Sequence, residues 1–402
     1  MPWKESSIMD ERTKFISKLL QGEKMTHVCE EFNISRKTGH KLWNRYQAEG
    51  AIGLEEISRA PHRRVRLTPP LVEKAILGLK KKKSHWGAAK IRELFIRKYS
   101  GVKVPARSTF HAIFERHGLV KKRRRNSRTK LTGTWLSVPK APNDLWCADF
   151  KGEFLLTGRP KRYCYPLTIS DNVSRYLISC EALDSVKTSM AFPVFEEAFK
   201  EYGLPKAIRT DNGVPFSTSG GLFGWSLLSV WWLRLGIKIE RIRPGHPEEN
   251  GRHERIHRTL KATSIKPSAC NILQQQERFD NFIEEYNKER PHEALKMKTP
   301  SEVYRASERK YKGLPDLHYP LHDDERVISK NGTLILPGKN RVFVSAVLSG
   351  QPVGLTELED DIWKITFMDY DLGYFDYESC QFIPLNLPPE KNKLFPTKKE
   401  KV

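Results

Sequence analysis

Three stretches decide how this sequence is read: LWCADFKGEF at residues 145–154, IRTDNG at 208–213, and PGHPEENGRHERIHRTLK at 244–261. Each holds one carboxylate in an informative place. Asp149 sits in a strand pattern beside Trp146. Asp211 closes the short stretch 206–210, which reads as a buried strand. Glu254 stands near the start of a helix opened by Gly251. Around these stretches, strand and helix signals alternate. Strands are expected within 144–156, at 163–170, 175–181 and 237–242. Helices are expected at 186–202, 250–262 and 272–288. Three strands in succession, followed by alternation, predict an α/β mixed sheet. A strand end places a carboxylate at the sheet rim, where open α/β folds put their sites. Three acidic oxygens on one rim would suit a hard cation, Mg²⁺ or Mn²⁺. Two such ions about 4 Å apart can serve both the attacking and the leaving oxygen on phosphorus.

The charge lies elsewhere. Of the 402 residues, 1–140 carry 33 Lys and Arg against 12 Asp and Glu, while 141–402 carry 37 against 36. A basic block ahead of a neutral one predicts a polyanion grip joined to a separate module. Within that block, residues 10–60 show the helix-turn-helix outline. Phe15, Ile16, Leu19 and Leu20 recur at helical spacing up to Gly22. Val28 and Phe32 mark a short second helix, and Asn33-Ile34 the turn. Ser35 caps a third helix that buries Leu42, Trp43 and Tyr46. Arg36, Lys37 and His40 open that third helix and are candidates to enter a DNA major groove. Residues 68–120 repeat the theme, with apolar faces on Leu71–Leu79, Trp86–Phe95 and Phe110–Phe114. Lys121, Lys122, Arg123, Arg124 and Arg125 then form a basic linker (121–142), expected to contact phosphates without specifying sequence.

Residues 320–385 are strand-rich, with turns at Asn331-Gly332 and Pro337-Gly338, and predict a small barrel; 386–402 is Pro- and Lys-rich and is expected to be disordered. There is no apolar window long enough to span a membrane, and residues 1–14 lack the apolar core of a secretory signal. Six scattered cysteines without a CxxC fit a reducing cytosol and argue against a zinc ribbon.

The three acidic blocks, in this order, resemble the integrase catalytic core, an RNase H-like fold shared by retroviral integrases and many bacterial insertion-sequence transposases. The likeness covers roughly residues 143–306. The first two segments (1–60 and 68–120) resemble the helix-turn-helix domains that precede this core, and 320–385 resembles the SH3-like barrel that follows it. The resemblance implies a multidomain chain: all-α helix-turn-helix modules, an α/β RNase H-like core and a small all-β SH3-like barrel. It implies Asp149, Asp211 and Glu254 as the catalytic, metal-holding triad. It places Arg258 and Lys261, four and seven residues past Glu254 and on its helix face, against the DNA end. Simple i,i+4 charge pairing is the alternative. Asn212 is a further candidate DNA contact, and Gly213 serves the turn. The 42 residues between Asp211 and Glu254 exceed the family's commonest spacing. The excess falls in the aromatic-rich insertion 216–235. Glu248 and Glu249 are competing candidates for the third acid. Asp171 is expected to make a structural hydrogen bond, Glu153 and Asp184 to be surface charges, and His246, His253 and His257 to contact DNA or cap the helix.

The expected function is that of a transposase. It binds the terminal inverted repeats of its own element, cleaves a strand with two Mg²⁺ or Mn²⁺ ions and transfers it to target DNA. Its partners are double-stranded DNA and further copies of itself, in the cytoplasm with the nucleoid and not at a membrane. Two rivals remain: a metal nuclease of the same fold without strand transfer, and a non-catalytic DNA-binding regulator.

Overall fold

The structure is a computed structural model that describes residues 7–56, 68–120, 136–218, 222–359 and 361–385. The basic stretch Lys121–Arg125 and the tail 386–402 lie outside the described residues. The chain divides into two compact units, Met1–Pro69 and Pro70–Val402.

In the first unit, α1 (Ile8–Leu20), α2 (Met25–Glu31) and α3 (Arg36–Glu49) close over Phe15, Ile16, Val28 and Cys29. Ser35 caps α3 as expected, its hydroxyl accepting from the Thr38 N–H. Leu42, Trp43 and Tyr46 are half-buried at the rim of this core. Gly39 lets α3 cross α2 closely, because a Cβ there would lie 2.5 Å from Cys29 Sγ. Arg36, Lys37 and His40 are exposed on the opening turn of α3.

The second unit opens with three more helices: α4 (Pro70–Lys82), α5 (Ala88–Lys98) and α6 (Arg107–Arg116). They share a core of Ile76, Trp86, Ile91, Phe95, Phe110 and Phe114. A mixed sheet follows. Its strands are β1 (Trp146–Phe150), β2 (Phe154–Leu155), β3 (Tyr163–Asp171), β4 (Leu177–Leu183), β5 (Ala207–Thr210) and β6 (Lys238–Arg241). β3 lies antiparallel between β1 and β4, β2 extends β3, and β5 and β6 add in parallel beyond β1. Helix α7 (Thr188–Tyr202) covers one face through Phe195 and Phe199, packed on Trp146, Leu167 and Ile169. Helices α9 (Gly251–Leu260) and α10 (Ile272–Glu284) cover the other through Ile256, Leu260, Phe279 and Phe282. Pleating sends Trp146 and Ala148 toward α7, and the alternate residue Asp149 toward α9.

The aromatic-rich insertion contains a helix, α8 (Leu227–Arg234), capped by Ser226. Trp231 and Trp232 pack into the α7 side of the sheet, while Val230 and Leu233 enter the core of the C-terminal β region. After the short α11 (Pro300–Val303), that region has two parts. β7 (Asp324–Val327), β10 (Pro352–Glu359), β11 (Ile362–Phe367), β12 (Tyr370–Asp376) and β13 (Gln381–Pro384) form an antiparallel sheet. β8 (Thr333–Ile335) and β9 (Arg341–Phe343) form a separate two-stranded ribbon. The region is all-β as expected, but among the described residues the ladder does not close into a barrel. Leu334 and Val342 of the ribbon and Val230 and Leu233 of α8 share one core with the five-stranded sheet.

Candidate active site

β1 and β5 run parallel, with Trp146 level with Ile208 and Cys147 with Arg209. Two residues on, the same register sets Asp149 level with Asp211, one position past β5. Adjacent strands stand about 4.8 Å apart, so the two carboxylates are neighbours at the rim. On the other side of β1, Asp149 lies opposite Thr168 of β3. The buried Thr168 hydroxyl donates to the Asp149 carbonyl at 3.1 Å and lies 2.7 Å from Nε2 of both His253 and His257. Ser170 Oγ is 2.8 Å from His253 Nδ1. A hydroxyl has one proton. With it on Asp149, both imidazoles must donate to Thr168, and His253 Nδ1 accepts from Ser170. Glu254 falls between these two histidines in sequence, so α9 is pinned to β3, the strand beside the one that carries Asp149.

The electrostatics follow from this packing. Burial first, then the charge of Asp211, push the Asp149 carboxyl up to about 7; Glu254 adds to the push, and the Phe150 N–H and Lys151 oppose it. Burial pulls His253 down to about 3. Burial and then His253 pull His257 down to about 2. Both rings are therefore neutral and add no positive charge to the acidic cluster, where Lys151 is the cation that acts on Asp149. His257 Nδ1 stands 3.7 Å from Asp149 Oδ2, beyond hydrogen-bond reach.

The rival acids are engaged elsewhere. Glu249 is nearly fully buried and accepts from both the Arg243 backbone (2.9 Å) and side chain (2.8 Å). Glu248 pairs with His246 at 2.8 Å. Glu254 is exposed and has no hydrogen bond or ion pair among the described residues. The oxygens of Asp149, Asp211 and Glu254 do not all lie within 4.8 Å of one another. Arg258 is exposed on α9, and Lys261 is exposed where the π-helical turn Lys261–Ile265 continues it. Asn212 is exposed, but its amide donates to the Ile242 carbonyl at 2.7 Å and ties the loop down. Gly213 donates its N–H to Asp211 Oδ1 at 3.0 Å, and a Cβ there would come within 3.1 Å of Oδ2. Its lack of a side chain lets the backbone approach the carboxylate. Asp171 is structural: it accepts from the Asn143 N–H and from the Ser174 N–H and hydroxyl.

The expectation for His253 and His257 needs correction. Neither faces solvent or caps the helix; both are buried against β3. The signal was present, because His253, Ile256, His257 and Leu260 form one inward stripe at helical spacing. Thr168 and Lys151 were missed, since nothing local marks a strand threonine or lysine as part of a distant site.

Residues 139–247 and 235–300 match the integrase core domain family. Residues 11–62 match a helix-turn-helix domain and 38–114 a homeodomain-like domain. The chain is 25% identical to an uncharacterized 31.7 kDa protein of insertion element IS407 from Burkholderia multivorans, over 48% of this chain and 66% of the relative. It is also 25% identical to an uncharacterized 39.2 kDa protein of insertion element IS476 from Xanthomonas euvesicatoria, over 43% of this chain and 47% of the relative. The matched portion thus spans about half to two thirds of those relatives. The HTLV-2 integrase catalytic core, solved in complex with magnesium, aligns with 41% of this chain and 98% of its own, at 17% identity and a TM-score of 0.32. The central region is an integrase core domain, preceded by helix-turn-helix DNA-binding domains. These relatives are proteins of bacterial insertion elements, and the likeness lies mainly in this core.

Proposed function

We propose that this protein cleaves DNA at the ends of its own mobile element and joins the freed ends to target DNA. The observation that carries the reading is the alignment of Asp149 with Asp211 on adjacent parallel strands, with α9 and its Glu254 pinned to the same rim. The donor set fits divalent cations. Three hard carboxylates border one rim, and burial followed by the Asp211 charge holds Asp149 up to about 7. Bound there, Mg²⁺ or Mn²⁺, as two ions, would supply the positive charge that stabilises the phosphorus centre in flight.

The chain's residues hold and orient. Asp149, Asp211 and Glu254 hold the ions. Arg258 and Lys261 grip phosphates of the DNA end, and Asn212 borders the same rim. In the first step, a water oxygen bonds to phosphorus and the P–O3′ bond breaks, leaving a 3′-hydroxyl. In the second, that hydroxyl's oxygen bonds to a target phosphorus, its proton leaves, and the target's own 3′ oxygen departs with a proton. No side chain acts as nucleophile. Arg36, Lys37 and His40, with Lys121–Arg125, supply the grip on the terminal repeats, and two ends require further copies of the chain.

The test is a strand-transfer assay on labelled duplex from the ends flanking this gene, with Mg²⁺ or Mn²⁺. Joined products lost in Asp149→Asn, Asp211→Asn and Glu254→Gln, but kept in Glu249→Gln, support the reading. Nicking without joining replaces it with a nuclease. End-specific binding without cleavage under either metal replaces it with a DNA-binding regulator.

A further inference from the structure

Helix α9 has two flanks beside its buried stripe. Glu254, Arg258 and Lys261 lie on one. Arg252, Arg255 and Thr259, spaced at i, i+3 and i+7, lie on the other. That second flank borders a cavity of about 280 Å³ between α5 and the α/β core. Arg252 and Arg255 line it from α9, Arg175 from the β3–β4 turn, Arg290 and His292 from the segment after α10, and Lys90 from α5.

The surrounding seam is stitched by ion pairs. Lys83 pairs with Glu285 (3.0 Å) and Glu289 (2.6 Å), and Arg97 with Glu302 (3.4 Å). Inside the cavity the pattern stops. Among the described residues, none of its four arginines nor Lys90 has a carboxylate within 4.0 Å. Glu293, the acid on the lining, is exposed and faces Arg107 at 3.8 Å. Arg252 is held by the Asn172 side chain at 2.5 Å, and Arg290 stacks over Tyr286. Buried Arg290 Nε and His292 Nε2 have no hydrogen-bond partner. Arg175 sits in the left-handed region, with φ 64°, a conformation disfavoured for its side chain. The cations also oppose one another. Burial and then Arg290 pull Lys90 down to about 7. Burial and then Arg252 pull Arg175 down to about 10. Lys90, Arg175 and Arg290 are half-buried and Arg252 and Arg255 exposed, so these like charges repel one another across a partly shielded space, and an anion among them would offset that repulsion.

We infer that this cavity is an oxyanion site that takes a phosphate of the DNA backbone and so seats the second helical module and the core on one strand. Four guanidinium forks favour phosphate, whose oxygens they can engage in pairs. The oxyanion chemistry stands on the cavity; DNA as its source rests on the proposed function.

The test uses the full chain in chloride buffer with EDTA. Inorganic phosphate is titrated while the melting temperature is followed. A labelled duplex is then titrated by fluorescence anisotropy across a salt series. Wild type is compared with Lys90→Gln/Arg255→Gln and with Lys81→Gln/Lys82→Gln, which removes the same charge from exposed positions on α4. Phosphate should raise the melting temperature of wild type and of the α4 variant, but not of Lys90→Gln/Arg255→Gln. Without phosphate, the cavity variant should melt no lower than wild type, having lost a repulsion. Its salt slope for duplex should fall by about 1, as for one phosphate contact. If the double variant melts lower, the single exposed Arg255→Gln carries the same comparison. An absent phosphate response in wild type, or an equal loss in both variants, overturns the site. A phosphate response lost with an unchanged duplex slope overturns DNA as its source. These readouts need no catalysis, so a chain that binds phosphate here but never cleaves DNA breaks the proposed function and leaves this site standing.

Discussion

The two flanks of α9 carry the same electrostatic signature with opposite signs. On one, Asp149, Asp211 and Glu254 share a rim, and burial and then Asp211 raise Asp149 to about 7. On the other, four arginines and Lys90 crowd together, and Lys90 falls to about 7. Elsewhere the same unit pairs its charges, as Arg209 does with Glu240 at 2.8 Å. A fold that can pair charges, yet gathers like ones at two places, is prepared for something it does not itself supply. On the two proposals above, one flank would take cations and the other an oxyanion, with the DNA backbone bringing phosphates to both.

The largest effects should break the acidic flank. Removing one carboxylate, as in Asp149→Asn or Asp211→Asn, should slow strand transfer by roughly 10³-fold or more, measured as initial rate at saturating metal. Glu249→Gln should cost less than about tenfold there, and should instead lower the melting temperature through its lost tie to Arg243.

Stability should move the other way. The folded state holds Asp149 protonated up to about pH 7, against about 3.8 when unfolded. It therefore binds more protons than the unfolded chain across that window, and stability falls as pH rises through it. Asp149→Asn removes this loss. In EDTA the variant should gain nothing at pH 4 and most above pH 7, up to about 4 kcal/mol. Equal melting temperatures at pH 8 would mean the acidic flank is already neutralised, and the comparison between the flanks would fail.

Thr168→Val tests how α9 is held between its flanks. Losing the hydroxyl strands two imidazole donors and should cost about 1–3 kcal/mol. Because Glu254 is positioned through this contact, the metal concentration for half-maximal activity should rise, a readout that simple destabilisation would not move. The smallest effect belongs to single exposed cations. Arg258→Gln should flatten the salt slope for DNA by about 1. The same change in the presence of a duplex lacking the element ends would show a general backbone grip.

Local patterns in the sequence carried much of this. The Ser35 cap, the two sets of helices, the strands around Asp149 and Asp211, and the start of α9 were all legible, because each depends on neighbours a few residues away. Helix α8 was not read as a helix. Its Leu228, Val230, Trp231, Trp232 and Leu233 are buried on all sides, so no polar face marks a period. The histidines of α9 were misread because their partners, Thr168 and Ser170, lie more than 80 residues away.

The sequence by itself determined the modules, their charge division and three carboxylate positions as candidates, since periodicity, capping and strand ends are local properties of the chain. Only the tertiary structure decided which acid stands free, through the Arg243 contact that ties up Glu249. It alone decided how α9 is anchored and where unpaired cations meet. Burial and the distance between charges, which set both, exist only once residues remote in the chain are packed together.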